Sequence, residues 1–441
     1  MKTAETPHTE LYGLISALAD ELSDARAKKN ANDRVDSITL VVRKALRAGS
    51  LCFVDGGLHH FNGSYYAPVD KGLVLAVLGN ILVDMGVSPT DVRKMGEMPL
   101  SVIVEKSHPR FPFLLCFDNG ILDVRGPEFA EGFNPRRIVT ERLPYTYDPS
   151  ASCPLWLRFL SEVLPDESER RVLQEFFGMC YIDRSEMSVE KFAILVGGGA
   201  NGKSVIFEVI KRVVGPDNVS TFDSVQLGKE NMIPYVKGKR LNFAPDMRKS
   251  SSFDSSLKAI ASGQDVTGRR IYGDAEKIKC PPLVFALNEM PRFADTSDAF
   301  FRRLLLFSFD VTIPPEKQDR LLVERICQSD LPGIFNWILE GRMRLVSNHG
   351  QFSESRRMDN NLTLLRESVS PSSSPVRHYL ASRGLGVYPI YEGQPFTSIT
   401  QREIVVGLGG QLSPNAVTRE MNRYGVSAFR SKELFYRVYQ L

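Results

Sequence analysis

Eight consecutive residues, Gly197-Gly198-Gly199-Ala200-Asn201-Gly202-Lys203-Ser204, match the pattern G-x-x-x-x-G-K-[ST]. That pattern is a loop that binds the phosphates of a nucleoside triphosphate. Its glycines let backbone N–H groups turn inward onto phosphate oxygens, and the start of the following helix adds positive potential. Lys203 is expected to reach the β- and γ-phosphates, and Ser204 to hold Mg²⁺. The ligand-contacting stretch is taken as Gly197 through Val205. A chance glycine-rich turn would not require the surroundings this one has. Phe192-Ala193-Ile194-Leu195-Val196 reads as a buried strand, and 205–214 as a helix that stops at Gly215-Pro216.

Hydrolysis of a triphosphate needs an acidic residue on a neighbouring strand, to complete the Mg²⁺ shell and polarise the attacking water. Asp246 stands at the end of an apolar run that begins at Arg240, 43 residues past Lys203. A third apolar run, 281–287, ends in Asn288, whose amide can orient the lytic water or meet the γ-phosphate. Strand-end turns would use the same two residues, so their register after the phosphate loop is what favours chemistry. Arg302-Arg303 then precedes a further strand over 304–309. An arginine there can stabilise transition-state charge on a phosphate held by a neighbouring subunit, or it can pair with Asp310 at the strand edge.

Between Asp246 and Asn288 lies a segment, 262–279, in which Arg269, Arg270, Tyr272, Lys277 and Lys279 flank a Tyr272-Gly273-Asp274 turn. It reads as a β-hairpin with Tyr272 and Gly273 near its tip. Arginine and lysine can track phosphates while tyrosine packs on a sugar or base. A solvated surface hairpin would look the same by position alone.

These elements sit in a chain of 441 residues, too long for one ordinary core. No apolar run approaches the ~20 residues that span a membrane, and the start lacks a signal peptide's apolar core. A cytoplasmic protein with no membrane partner is expected. Six cysteines without a C-x-x-C pair read as buried free thiols, and His59-His60 as structural. Five parts are expected. Residues 1–111 form an α/β domain, with helices over 11–28 and 35–48 and hairpin signals at Gly56-Gly57 and Asn62-Gly63. A helical collar follows over 112–187, with helices at 156–163 and 167–180. The motor core occupies 188–347, closed by a helix over 331–345. Residues 348–375 hold a helix and the linker Ser368-Val369-Ser370-Pro371-Ser372-Ser373-Ser374-Pro375. Residues 376–441 carry eight Lys/Arg against four Asp/Glu. Helices at 401–408 and 416–424 and a hairpin over 428–439 there suit a winged helix. Its basic surface fits a polyanion partner or simple solvation equally.

The order of these pieces resembles the superfamily 3 helicases, AAA+ ring motors of viruses, phages and plasmids, and most of all the phage/plasmid and poxvirus primase–helicase branch. The likeness rests on the phosphate loop with Leu195-Val196 before it, on 263–272, and on Phe285-Ala286-Leu287-Asn288-Glu289-Met290-Pro291 running into Phe301-Arg302-Arg303-Leu304. Upstream, Asp118-Asn119-Gly120-Ile121-Leu122-Asp123 and 147–154 look like the region preceding the motor in that branch. The resemblance implies an α/β fold with an AAA+ P-loop core on a parallel sheet. It implies a homohexamer that hydrolyses ATP with Mg²⁺ and moves 3′ to 5′ on single-stranded and forked DNA. By position Arg269, Arg270 and Tyr272 would grip the strand in the ring's channel, with Lys277 a further candidate. Arg303, rather than Arg302, would be the arginine acting across the subunit interface. Lys203, Asp246, Asn288 and Arg303 would then be the catalytic set, with Ser204 and Asp246 on the metal. The element would be a phage, plasmid or genomic island in a bacterial host, or a virus at its replication site. Origin DNA is an expected partner of the C-terminal domain, and host or element-encoded replication proteins are further ones. Two departures stand out. Pro245 precedes Asp246 where many relatives have a second acid, and no D-x-D precedes the motor, so primase activity is not expected. An origin-binding ATPase that melts DNA without processive unwinding is the alternative.

Overall fold

Helices come first in the chain: α1 (Thr6–Ser16), α2 (Ala19–Arg26) and α3 (Ala31–Ala48). The structure is a computed structural model that describes residues 6–48, 51–97, 107–109, 111–184, 187–245, 256–271, 273–290, 297–369, 375–383, 385–386, 397–423, 426, 428–430 and 434–440. The single helix expected over 11–28 is broken by a turn at Ala17 and Leu18. The break lets Leu11 and Ile15 on one side and Leu22 and Ala25 on the other join the same core as α3. Strands β1 (Leu51–Val54), β2 (Gly57–Phe61) and β3 (Tyr66–Pro68) form antiparallel hairpins. Asp55 and Gly56 both take left-handed φ at the first turn, as a two-residue hairpin turn requires. His60 is buried and His59 half-buried on alternating faces of β2. Helices α4 (Lys71–Asp84) and α5 (Pro89–Gly96) complete this unit, and β4 (Ser107–His108) pairs with β1 in parallel.

A three-stranded antiparallel sheet follows: β5 (Leu114–Phe117), β6 (Gly120–Asp123) and β7 (Glu128–Glu131). Asp118-Asn119 makes the first turn, and the Asn119 amide bonds both ways to the Tyr147 backbone at 2.9 Å. That bond joins the two upstream stretches, 118–123 and 147–154. Helices α6 (Pro154–Val163) and α7 (Glu167–Met179) come next, α7 capped by Asp166, whose carboxylate accepts from the Ser168 and Glu169 amides.

The central sheet has five parallel strands in the order β14-β8-β13-β10-β9: β8 (Phe192–Val196), β9 (Val219–Ser220), β10 (Leu241–Ala244), β13 (Leu283–Leu287) and β14 (Leu304–Ser308). Counted within the sheet, the order is 5-1-4-3-2. Both faces are covered, so its strands are mostly apolar, Asn242 and Ser220 satisfying each other across β10 and β9, and alternate residues feed two cores. Ala193, Leu195, Phe243, Val284 and Phe307 pack with Trp156, Phe176 and α8 (Lys203–Val214). Phe192, Ile194, Phe285 and Leu306 pack on the other side with α10 (Ser256–Ala261), α11 (Asp298–Phe301) and Ile278. The short α9 (Ser224–Leu227) lies between β9 and β10 in the chain. Between β10 and β13 the chain also makes the two-stranded antiparallel hairpin β11 (Asp265–Arg269) and β12 (Ala275–Lys279).

After the sheet, α12 (Leu322–Ser329) leads into α13 (Leu331–Ser347), which lies on α7. Their approach is close enough that a Cβ on Gly178 would meet the Arg342 amide at 2.2 Å. The core that begins at Leu115 therefore continues through the motor sheet to Met358. Helix α14 (Arg356–Val369) runs into the expected linker and α15 (Pro375–Ser382) begins at its end, while 370–374 lie outside the described residues. The C-terminal unit contains β15 (Leu385–Gly386), β16 (Thr397–Thr400), α16 (Gln401–Gly407), α17 (Pro414–Arg423), β17 (Ala428–Arg430) and β18 (Leu434–Gln440). It has its own small core around Ile404, Val417 and Tyr436. No helix among the described residues is long and apolar enough to cross a membrane.

Candidate functional site

The phosphate loop leaves the carboxyl end of β8 and turns straight into α8. Gly197 donates its N–H to the Leu287 carbonyl at 3.1 Å, which seats the loop beside the end of β13. A Cβ at Gly197 would lie 2.3 Å from Asn201 Nδ2 and 2.4 Å from the Phe309 carbonyl, so only glycine fits. Gly199, Ala200 and Gly202 take left-handed φ values of 89°, 48° and 88°. Positive φ at these three positions bends the loop sharply, and Gly199 donates its N–H back to the Gly197 carbonyl at 3.0 Å. Lys203 Nζ donates to the Gly197 carbonyl at 2.5 Å and to Asn201 Oδ1 at 2.9 Å. Asn201 in turn donates to the Phe309 carbonyl at 3.3 Å, tying the loop to the end of β14. Lys203 is buried, Ser204 beside it and Gly198 are exposed, and Val205 is half-buried. Helix α6 and the loop also touch. A Cβ on Gly202 would collide with Val163 Cγ1 at 2.7 Å and with the Phe159 ring.

Asn288 follows β13 directly and is exposed beside the loop, because Leu287 pairs with Val196 in the ladder. Asp246 lies outside the described residues, two positions past the end of β10.

Arg302 and Arg303 part company at the start of β14. Arg303 is only 9% exposed and is fully engaged inside the chain. Its Nη2 pairs with Glu190 at 2.6 Å, its Nε donates to Ser262 Oγ at 2.9 Å and its Nη1 to the Ala299 carbonyl at 2.7 Å. Within this chain Arg303 thus faces inward, whereas an arginine that reaches a neighbouring subunit must face outward. Arg302 is the exposed member of the pair. Asp310, the other expected partner, instead accepts from Arg357 at 2.5 Å.

The hairpin stands on Gly268, whose position is pressed against Ile233, with Ile278 buried below it. Arg269 Nε donates to the Gly273 carbonyl at 2.8 Å, closing the tip. The Arg270 guanidinium lies 5.6 Å from the centre of the Tyr235 ring. Ile271 at the tip is 71% exposed and Lys277 is exposed on β12, while Tyr272 lies outside the described residues.

Residues 93–165 match the family model described as D5 N terminal like, and residues 195–303 match a family of unknown function, DUF5906. A protein of Acanthamoeba polyphaga mimivirus named "Putative helicase L207/L206" is 26% identical over 210 residues, which is 45% of this chain and 22% of that protein. The chain thus spans about a fifth of the length of that curated relative. Apo structures of the NrS-1 C-terminal region align with TM-scores of 0.47 and 0.45, at 13% and 12% identity, over 91% of this chain and 98% and 99% of those chains.

Glu190, Ser262, Tyr235 and Arg357 escaped sequence reasoning. Each matters through a partner distant in the chain, and none stands in a motif. Gly263 is legible in the sequence but its reason is not: a Cβ there would meet the Arg184 guanidinium at 2.8 Å. Arg184 itself reaches the Ala261 and Val189 carbonyls from the start of the motor.

Proposed function

We propose that this chain is an ATP-dependent DNA helicase of a phage, plasmid or mobile genomic island. In this reading it works as a hexameric ring that moves 3′ to 5′ on single-stranded and forked DNA. The observation that carries the proposal is the place of the basic hairpin in the chain. It is the excursion between β10 and β13, the two strands whose carboxyl ends carry Asp246 and Asn288. A change at the nucleotide therefore reaches the hairpin through two short strands packed in one rigid sheet. The 5-1-4-3-2 order, with the phosphate loop on the strand between the fifth and the fourth, supports an AAA+ motor.

The loop's positive-φ turn, the buried Lys203 and the exposed Ser204 fit a triphosphate with its metal. Mg²⁺, held by Ser204 and Asp246, would neutralise charge on the phosphates when bound. Lys203 would swing from the Gly197 carbonyl to the β- and γ-phosphates, and Asn288 would orient the attacking water. Arg302 would approach the phosphate in the neighbouring subunit, held at its height by the inward anchorage of Arg303. Arg269, Arg270 and Tyr272 would hold the DNA strand, with Lys277 behind them. The two-helix and hairpin order of 397–440 supports a winged helix for origin DNA. Residues 1–111 would meet host or element-encoded replication proteins. That C-terminal order is also what favours the second reading, an origin-melting ATPase.

Strand displacement decides between them. Wild-type protein with ATP and Mg²⁺ should open a fork with a 3′ tail, and Lys203→Ala should reduce the rate by at least about a hundredfold. Steady ATP hydrolysis with origin melting but no displacement on long forks would select the second reading. Displacement from a 5′ tail alone would reverse the assigned direction.

A further inference from the structure

Opposite the phosphate loop, at the amino-terminal ends of β10 and β13, the structure holds a cleft of about 490 Å³. Most of its wall comes from three segments, 179–184 after α7, 237–240 before β10, and 277–282 from β12 into β13, with Asp55 and Pro112 completing it. Six cations line it, Arg184, Lys237, Lys239, Arg240, Lys277 and Lys279, against the carboxylates Asp55 and Asp183. Two of the six are neutralised in place, Arg240 by the buried Glu141 and Lys237 by Glu276 at 2.5 Å. The other four still face only two carboxylates, so the cleft carries a net positive field. Lys277 and Lys279 are both exposed on the same face of β12, about 7 Å apart by strand geometry. That interval is of the order of the phosphate repeat in an extended single strand.

An exposed aromatic group lies two residues before the cleft wall in the chain, on the side of the hairpin tip. Tyr235, two residues before Lys237, is 53% exposed. The Arg270 guanidinium sits over its ring, and Phe222 packs 6.5 Å away. An exposed tyrosine beside cations that line a groove is the arrangement by which proteins hold unpaired bases and their backbone together.

We propose that this cleft is a second binding site for single-stranded nucleic acid. Lys239, Lys277 and Lys279 would take the phosphodiesters, and Tyr235 would stack a base. Its lysines lie at the root of the hairpin, on the sheet edge remote from the triphosphate, and Tyr235 beneath Arg270 continues the site toward the tip. It rests on the reading that the hairpin meets a nucleic-acid strand, and it extends that strand's path along the hairpin to the far edge of the sheet.

The experiment uses the full chain, a fluorescein-labelled oligothymidylate and anisotropy titrations over a range of salt. Lys239→Gln with Lys279→Gln should weaken binding about tenfold and lower the salt slope by about 0.7 for each phosphate no longer neutralised. Lys239→Arg with Lys279→Arg should keep both, and a fluorescent ATP analogue should still bind each variant, which excludes misfolding. Tyr235 should cross-link to 5-iodouracil in the oligomer. Wild-type affinity and slope in the double glutamine variant, together with weakened binding in Arg269→Ala/Arg270→Ala, would overturn the cleft while leaving the hairpin reading intact. No binding of the oligomer to wild type would overturn both. Displacement of the oligomer by tripolyphosphate, or by a polyglutamate peptide, at equal charge concentration would assign the cleft to free phosphate or to an acidic chain, against the proposal.

Discussion

Glu169 shows how one side chain can make stability depend on pH. It is fully buried on α7, with neither carboxylate oxygen accepting a hydrogen bond among the described residues. Its partner is Arg357, whose Nη1 lies 3.4 Å away, at ion-pair range but outside hydrogen-bonding geometry. Burial pushes the carboxyl up from 4.5 to about 7, against the pull of Arg357. The folded chain therefore keeps a proton that the unfolded chain releases near 4.5, and it binds more protons between those two values. Stability contributed at this site must fall as pH rises from 4.5 to about 7, and stay level above that. Glu169→Gln cannot ionise and escapes the fall. The variant should melt higher than wild type above pH 7, by an amount equivalent to at most about 3 kcal/mol. The advantage should shrink on acidification and vanish near 4.5. Melting curves across that range check it, and a constant difference between the two proteins would show that Glu169 is already ionised when buried.

Elements are held together by a second buried charge, and here the outcome runs the other way. Arg240, at the start of β10, pairs with Glu141 beside the three-stranded sheet and also donates to the Pro112 and Cys180 carbonyls. Its guanidinium lies over the Tyr181 ring. One side chain thus fastens the five-stranded sheet to the end of α7 and to the three-stranded sheet. Arg240→Met would take the countercharge from the buried Glu141, a loss of about 3–5 kcal/mol. Arg240→Met with Glu141→Leu should recover most of it, since neither charge then needs a partner. Urea unfolding of the two variants and wild type measures this. A double variant as unstable as the single one would show that the carbonyl contacts, not the pair, hold the joint. At this scale much was readable beforehand. The phosphate loop has flanks of opposite periodicity, apolar strand before and amphipathic helix after, and the hairpin alternates around a glycine turn. The break at Ala17 and Leu18 was not readable, because the apolar pattern of 11–28 runs on through it and only packing on α3 interrupts it. The orientation of Arg302 and Arg303 was not readable either. Adjacent residues at a helix-to-strand corner point apart, and which one turns inward depends on Glu190 and Ser262, contributed by remote segments.

For the whole molecule, the proposed ring makes Arg302 the residue that would couple one subunit to the next. It is exposed at the head of β14, the edge strand of the sheet, where a neighbouring copy can be approached. Lys191 donates to its carbonyl at 2.6 Å, so its backbone is fixed while its side chain faces out. If it completes the neighbour's site, Arg302→Ala should bind nucleotide as wild type does and turn it over at least about a hundredfold more slowly. Arg303→Ala should instead lower the melting temperature, because it strands Glu190 and empties a buried corner. Mixing distinguishes a ring from independent subunits. When Arg302→Ala is titrated into wild type, independent pairs lose activity in proportion to the variant's share. A coordinated six-membered ring loses it far more steeply, since at an equal mixture only about 2% of randomly assembled rings are free of the variant. Fork unwinding measured along that titration should fall along the steep curve. A straight line would mean that each interface turns over by itself, and that motion on DNA does not require the whole ring.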